Sequence, residues 1–233
     1  MAQKFTKEER EQLEQDPLHR FYSRVEAYFY NNYRTLIGVG SAIIIVIALS
    51  VGYYYYSQSQ EEQAQQMLGF AEEMYRNGNY EQALTGNQEE LVAGFNDIIE
   101  NYPRTDAANL AYYYAAVCEY ELNNPEEALS HIREHEPAEG ILGVGPVSFY
   151  ASLLNELERY EEAGNQYIEA AEWDVNDATT PYNLLKAAQA FQLADLNQRA
   201  YDVIERMLSE YPDHNMTDQA ERLKGRLMMA NKE

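Results

Sequence analysis

The sequence predicts an all-α protein: one N-terminal transmembrane helix, then an α-solenoid of about four helical hairpins with a C-terminal capping helix. Three observations predict it. The stretch Leu36 to Tyr56 runs for 21 residues without a charged residue or a proline. Beyond it, two alanine columns recur in step through residues 61–212. The 233-residue chain is 45% apolar and 24% charged, which suits folded structure of about one and a half typical domain lengths. The expected divisions are a tail over 1–35, a membrane helix over 36–56 and a repeat domain over 57–233.

The apolar stretch comes first. At ~1.5 Å per residue its helix spans roughly 30 Å, the thickness of a bilayer core. Tyr28, Phe29, Tyr30 and Tyr33 precede it and Tyr53 to Tyr56 end it. Amphipathic rings favour the headgroup zone, so this is an interfacial belt on each side. Arg20, Arg24 and Arg34 lie close before the stretch and only Arg76 lies close after it. Basic flanks stay cytoplasmic, which predicts residues 1–35 inside and 57–233 outside, in the periplasm of a bacterium with two membranes. The leading segment holds six basic and six acidic residues, unlike a signal peptide, and no cysteine follows to accept lipid. An uncleaved anchor is expected. Within it Gly38, Ser41, Ile45, Ala48 and Gly52 share one helix face, a shallow groove that a second helix could fill. Small residues are also simply common in membrane helices.

The hairpins come next. NGNYEQAL at 77–84 recurs as NNPEEAL at 123–129 and ERYEEAG at 158–164, with a weaker copy, LNQRAYD, at 196–202. These copies align on Ala83, Ala128, Ala163 and Ala200, at spacings of 45, 35 and 37. Twelve residues earlier in each stands Ala71, Ala116, Ala151 or Ala188. Small residues at fixed places on two helices let them cross closely, and Ile132, Tyr167 and Ile204, one turn on, fill the space beside the crossing. Pro103 and Pro212 follow second helices that they cannot continue. Copy one carries an extra stretch around Leu84 to Glu90, so its second helix is expected to be displaced or its turn extended. Residues 216–230, with Leu223 and Leu227 four apart, read as the capping helix that closes a stacked array.

With these columns the chain resembles the tetratricopeptide repeat family, whose period is about 34 residues with two helices per repeat. The resemblance covers roughly residues 61–212. It implies that first helices line a concave groove, with Tyr75, Tyr113, Val117, Tyr120, Ser148, Asn155, Tyr182 and Gln189 facing it. Tyrosine offers large apolar area with one hydrogen-bonding tip, which suits protein partners. Tyr113 and Tyr120 are also placed to pack between repeats. Family members that clamp C-terminal carboxylates use several basic groove residues; here only Lys186 is near.

Acidic residues outnumber basic ones 39 to 17, a net charge of −22 carried wholly beyond residue 35, and such a surface repels nucleic acid. Five lysines among abundant acid also suit a salt-rich habitat, an alternative that stays open beside a basic partner. The single Cys118 forbids an intrachain disulfide and reads as a small core residue. His131 to His135 spells H-x-x-E-H, but Glu136-Pro137 ends that helix at once and no third ligand is indicated. Gly140, Gly143 and Gly145 read as a flexible connector without the Lys-Ser/Thr pair of a phosphate loop. Acidic pairs such as Glu126-Glu127 sit at helix starts, where they meet the positive end of the dipole. No nucleophile, base and orienter come together, so neither an enzyme nor a cofactor or metal is expected.

The whole layout (tail, one membrane helix, acidic repeat array) resembles the ancillary subunits of the bacterial SecYEG translocon, the YfgM type. That resemblance implies association with translocon subunits, periplasmic chaperones and secreted clients. A scaffold for cell-envelope assembly or division, or a self-associating module, shares the same layout and stays open.

Overall fold

A computed structural model describes residues 17–87 and 92–230. The chain divides between Gln58 and Ser59 into two compact units. Helix α1 (Pro17–Arg76) runs through that division. In the first unit, every side chain from 41 to 56 is exposed. Helix α1 is long and apolar enough to cross a membrane. The hydroxyls of Ser41 and Ser50 donate to the carbonyls of Ile37 and Val46, each at 2.8 Å, so the polar groups inside the apolar run are satisfied within the helix itself. Lys4, Lys7 and Arg10 of the expected tail lie outside the described residues.

The second unit is the array. Copy one pairs the end of α1 with α2 (Tyr80–Thr85) and α3 (Phe95–Asn101). Copy two is α4 (Asp106–Glu121) and α5 (Pro125–Glu134). Copy three is α6 (Ile141–Glu156) and α7 (Tyr160–Trp173). Copy four is α8 (Thr180–Leu193) and α9 (Asn197–Glu210), closed by α10 (Thr217–Ala230). All eight alanines of the two columns are 0% exposed, and Ile132, Tyr167 and Ile204 are buried beside them. The columns therefore lie in the packed interior of the array.

Copy one departs as its sequence suggests. Its second helix is cut into α2 and α3, and between them Asn87 and Val92 exchange backbone hydrogen bonds of 2.8 and 3.0 Å. Of the extra stretch, Gln88 to Glu90 lie outside the described residues. Gly86 adopts φ +76°, and any side chain at Gly94 would collide with the carbonyl of Leu84, so the neck of this insert needs glycine at both places. The Gly140–Gly145 connector is a correction. Gly140, at φ +71°, ends the connector, whereas Gly143 and Gly145 belong to the first turns of α6. Gly143 lets the Trp173 indole lie against the helix, where Nε1 donates to the Ala138 carbonyl at 2.9 Å.

The four hairpin turns share a device that the residue types conceal. Gly78, Asn123, Glu158 and Asp195 each stand five residues before the column alanine of their copy, and each has φ between +58° and +77°. The next residue's N–H then reaches back five positions: Asn79 to Met74, Asn124 to Glu119, Arg159 to Leu154 and Leu196 to Phe191, at 2.8–3.0 Å. This is a left-handed helix stop that satisfies carbonyls of the outgoing first helix.

Buried apolar residues form two cores. The first joins Ala64, Leu68 and Ala71 of α1 to Phe95, Ile98 and the Ala107, Ala111, Ala115 and Cys118 face of α4. The second begins at Ala116, also on α4, and continues through copies three and four to Leu223 and Leu227. The first core is locked by an unusual cap. Glu61 accepts from the backbone N–H groups of Asp106 and Ala107 (2.7 and 3.2 Å), while Thr105 Oγ1 accepts from Ala108 (3.1 Å). Three of the four orphan donors of α4 are thus satisfied, one carboxylate coming from the preceding first helix.

Candidate interaction surface

The first helices present the residues expected to face a groove. None of the eight is fully buried: Tyr75, Tyr113, Val117, Ser148, Asn155 and Gln189 are half-buried, and Tyr120 and Tyr182 are 42% and 38% exposed. Tyr113, Val117 and Tyr120 stand at i, i+4 and i+7 on α4, which puts them on one face.

Three consecutive tyrosines on α4 explain how the copies are knit together. Successive helix positions turn by 100°, so their rings reach three different neighbours. Tyr112 meets His131 of its own copy at 6.3 Å between centroids. Tyr114 stacks on Phe95 (5.3 Å) and meets Tyr75 (5.2 Å) in the copy before. Tyr113 meets Phe149 in the copy after, at 6.3 Å. With Tyr75–Tyr80 at 5.8 Å, Tyr113–Tyr114 at 5.8 Å and Tyr120–Phe149 at 5.7 Å, six rings (Tyr80, Tyr75, Tyr114, Tyr113, Phe149, Tyr120) link in an unbroken chain from copy one to copy three, with Phe95 as a branch on Tyr114. Such edge and offset contacts each add a fraction of a kcal/mol to about 1.5 beyond area burial. Phe149 and Tyr114, which the column count omits, are the middle of this chain; the adjacent Tyr-Tyr-Tyr was the signal available.

Carboxylates border the rings. Burial raises the Tyr114 phenol above its ordinary value, and the Glu72 carboxylate, which hydrogen-bonds it, adds to this. Tyr75 is raised first by burial, with Tyr113, Cys118, Tyr80 and Glu121 adding to the effect. Burial alone raises Tyr113.

The other predicted positions are partly engaged within the array. Ser148 Oγ donates to Asn183 Oδ1 at 2.8 Å, and Asn183 Nδ2 donates to the Thr179 carbonyl, a buried polar joint between the first helices of copies three and four. Lys186 Nζ sits over the Tyr182 ring at 5.7 Å. The Asn155 carbonyl accepts the Glu158 N–H in the turn of copy three. On α1, an added methyl at Gly38 or Gly52 would meet nothing within 4 Å, and Ile45 is 58% exposed. Gly38, Ser41, Ile45, Ala48 and Gly52 therefore form an open face.

The H-x-x-E-H string has no ligand geometry. α5 ends at Glu134, and His135 Nδ1 lies 2.9 Å from the Asn109 carbonyl. Burial lowers the pKa of His131. Among the described residues no three His, Cys, Asp or Glu side chains gather as a metal site. Cys118 is buried, and desolvation, with Glu119 and Glu121 nearby, pushes its thiol up to about 12.

Comparison with known proteins agrees with this architecture. The tetratricopeptide repeat-like domain profile matches residues 27–178, more than half of the chain. Among solved structures, nearly identical tetratricopeptide-like repeats from Podosopora anserina, described as a kinesin light chain, superpose with a TM-score of 0.53. The identity is 12%, over 74% of this chain and 88% of that one, so the likeness concerns the fold. No curated protein sequence matches significantly.

Proposed function

The chain belongs to the tetratricopeptide repeat-like domain family, and from that premise we propose that it is a membrane-anchored, non-enzymatic scaffold that holds proteins on the first-helix face of its array. One observation carries this reading: the family match begins at residue 27, ahead of the apolar run, and continues into the repeats. The profile thus covers the apolar helix together with the first repeats, which supports an anchor that belongs with the array. The exposed Tyr120 and the half-buried Tyr75 supply what protein recognition uses, large rigid rings with a polar tip.

The finer reading is an ancillary translocon subunit in a bacterial inner membrane, with its N-terminus cytoplasmic and residues 57–233 periplasmic. The basic residues Arg20, Arg24 and Arg34 ahead of the apolar run support the orientation. The layout's resemblance to ancillary subunits of that translocon supports the role. In this reading the face of Gly38, Ser41, Ile45, Ala48 and Gly52 meets the translocon, and Tyr75, Tyr113, Val117, Tyr120, Ser148, Asn155, Tyr182 and Gln189 meet a chaperone or a secreted client.

The test is purification of the full-length protein in mild detergent with crosslinking and mass spectrometry. Translocon subunits crosslinked near residues 30–56, lost when that helix is replaced by an unrelated apolar one, are the expected result. Envelope-assembly proteins bound only to 61–233, unaffected by that replacement, would overturn the translocon role. Recovery of nothing but further copies of the chain would overturn the scaffold reading.

A further inference from the structure

The two halves of the array handle charge differently. Residues 159–233 hold fourteen acidic and eight basic side chains, a net of −6. There five of the fourteen acids find cations of their own: Arg159–Glu162, Arg199–Glu161, Arg206–Glu172, Arg206–Glu210 and Lys224–Glu205. The rings do too. Lys186 lies over Tyr182, Arg199 over Phe191 at 4.1 Å, and Lys224 over Tyr201 at 5.7 Å.

Residues 59–158 hold nineteen acidic side chains against three basic ones, Arg76, Arg104 and Arg133, a net of −16. Among the described residues of this half no carboxylate has an Arg or Lys within ion-pair distance. No cation lies over a ring there either. Yet this is the half that carries the six-ring chain, with Tyr120 exposed and Glu121 exposed beside it. An acidity serving solubility alone would fall evenly on both halves. Here the same two acceptors of cations, carboxylates and aromatic faces, are partly filled from within in one half, and among the described residues of the other no Arg or Lys meets either.

We infer that the first-helix face of residues 59–158, along Tyr75, Tyr113, Val117 and Tyr120, docks an arginine- or lysine-rich polypeptide segment whose cations lie over the open rings and opposite the bordering carboxylates. The partner's apolar side chains rest on the ring chain between those cations. A nucleic acid is repelled from this surface, and an acidic peptide is too. Ring faces attract guanidinium groups, and charge complementarity sets both the encounter rate and the choice of partner. This inference rests on the scaffold reading above and names the chemistry of what that scaffold holds.

The test uses the full-length chain in detergent and a labelled twelve-residue peptide alternating arginine and leucine, followed by fluorescence anisotropy from 50 to 500 mM salt. A peptide alternating glutamate and leucine is the counterpart. The arginine peptide is expected to bind and to weaken steeply with salt, and the glutamate peptide to stay free. Glu121→Lys places a cation on the face and should weaken binding about tenfold. Tyr120→Leu should weaken it about threefold, the scale of one exposed cation–π contact. Glu221→Lys makes the same charge change on exposed α10, outside the face, and should cost less than twofold. All three sites are exposed, and circular dichroism confirms that the variants fold. No binding of the arginine peptide at 50 mM salt, or equal losses from Glu121→Lys and Glu221→Lys, overturns the inference. If proteins still crosslink to the array in that case, the scaffold reading survives without it.

Discussion

Gly164→Ala tests the packing between copies three and four. Gly164 is buried on α7, and an alanine Cβ there would stand 2.5 Å from Cε1, 2.6 Å from Cδ1 and 2.9 Å from Cζ of Phe191. Carbon atoms are comfortable at about 3.5–4.0 Å, so the ring must retreat by about 1 Å. It has little room to do so. Phe191 is 1% exposed, and the Arg199 guanidinium lies 4.1 Å over its ring. Overpacking of this kind costs about 1–3 kcal/mol, and a 1 Å retreat of a buried ring belongs to the upper part of that range. Alanine gives back about 1 kcal/mol in helix propensity, leaving a net loss of about 1–2 kcal/mol. For a chain of this size that is a fall of roughly 3–6 °C in midpoint. The assay is thermal unfolding in detergent, read by circular dichroism and by the fluorescence of Trp173, which lies on the same helix. Gly225→Ala is the control: mid-helix on α10, with nothing within 4 Å of the new Cβ, it should raise the midpoint by roughly 2–4 °C. Phe191→Leu should lose less in the Gly164→Ala background than alone. A Gly164→Ala protein that melts at or above the parent would refute the reasoning.

Other expectations follow from the turns, the cap and the buried titratable groups. Glu158→Gly removes a left-handed non-glycine residue and should raise the midpoint by about 2–3 °C in the same melt, whereas Asn123→Gly should change it little, because asparagine tolerates that conformation. Glu61→Gln weakens two charge-assisted bonds to the start of α4 and should cost about 1 kcal/mol, seen as a lower urea midpoint. Cys118 should resist iodoacetamide at pH 8 in the native protein and react once the chain is unfolded, since its thiol is held near 12 and buried. Cys118 and Tyr167, both pushed up to about 12, hold their protons more tightly folded than unfolded. Their share of stability is therefore whole below pH 9 and is lost as pH rises through about 12, which an alkaline unfolding titration reads.

Much of this fold was legible because its strongest constraint is steric and local. Where two helices cross closely only a small residue fits, so the crossings surface as alanine columns in step. The turn device was hidden for the opposite reason. Gly78, Asn123, Glu158 and Asp195 share a backbone conformation and no side-chain chemistry. The Gly-rich segment at the start of α6 misleads, because Gly143 serves the approach of Trp173 from the next helix rather than looseness of the chain. The site divides in the same way. Counting positions on first helices offers Tyr75, Tyr113 and Tyr120 as candidates, but their linkage through Tyr114 and Phe149 depends on how neighbouring copies are offset. The split between internally paired and unpaired charge depends on which residues meet across copies. No one-dimensional pattern carries that information.

The sharing of α4 between two cores has a mechanical consequence. One face of this helix, Ala111, Ala115 and Cys118, belongs to the first core, and Ala116 to the second. The first core also takes Ala64, Leu68 and Ala71 from the helix that carries the apolar run. Tension arriving along that helix is borne by the first core alone until α4 gives way. The split second helix of copy one makes that core the thinner of the two. A pulled molecule is therefore expected to yield in two steps, copy one parting from α4 first while copies three and four stay closed. The array behaves as a fuse in series with a latch.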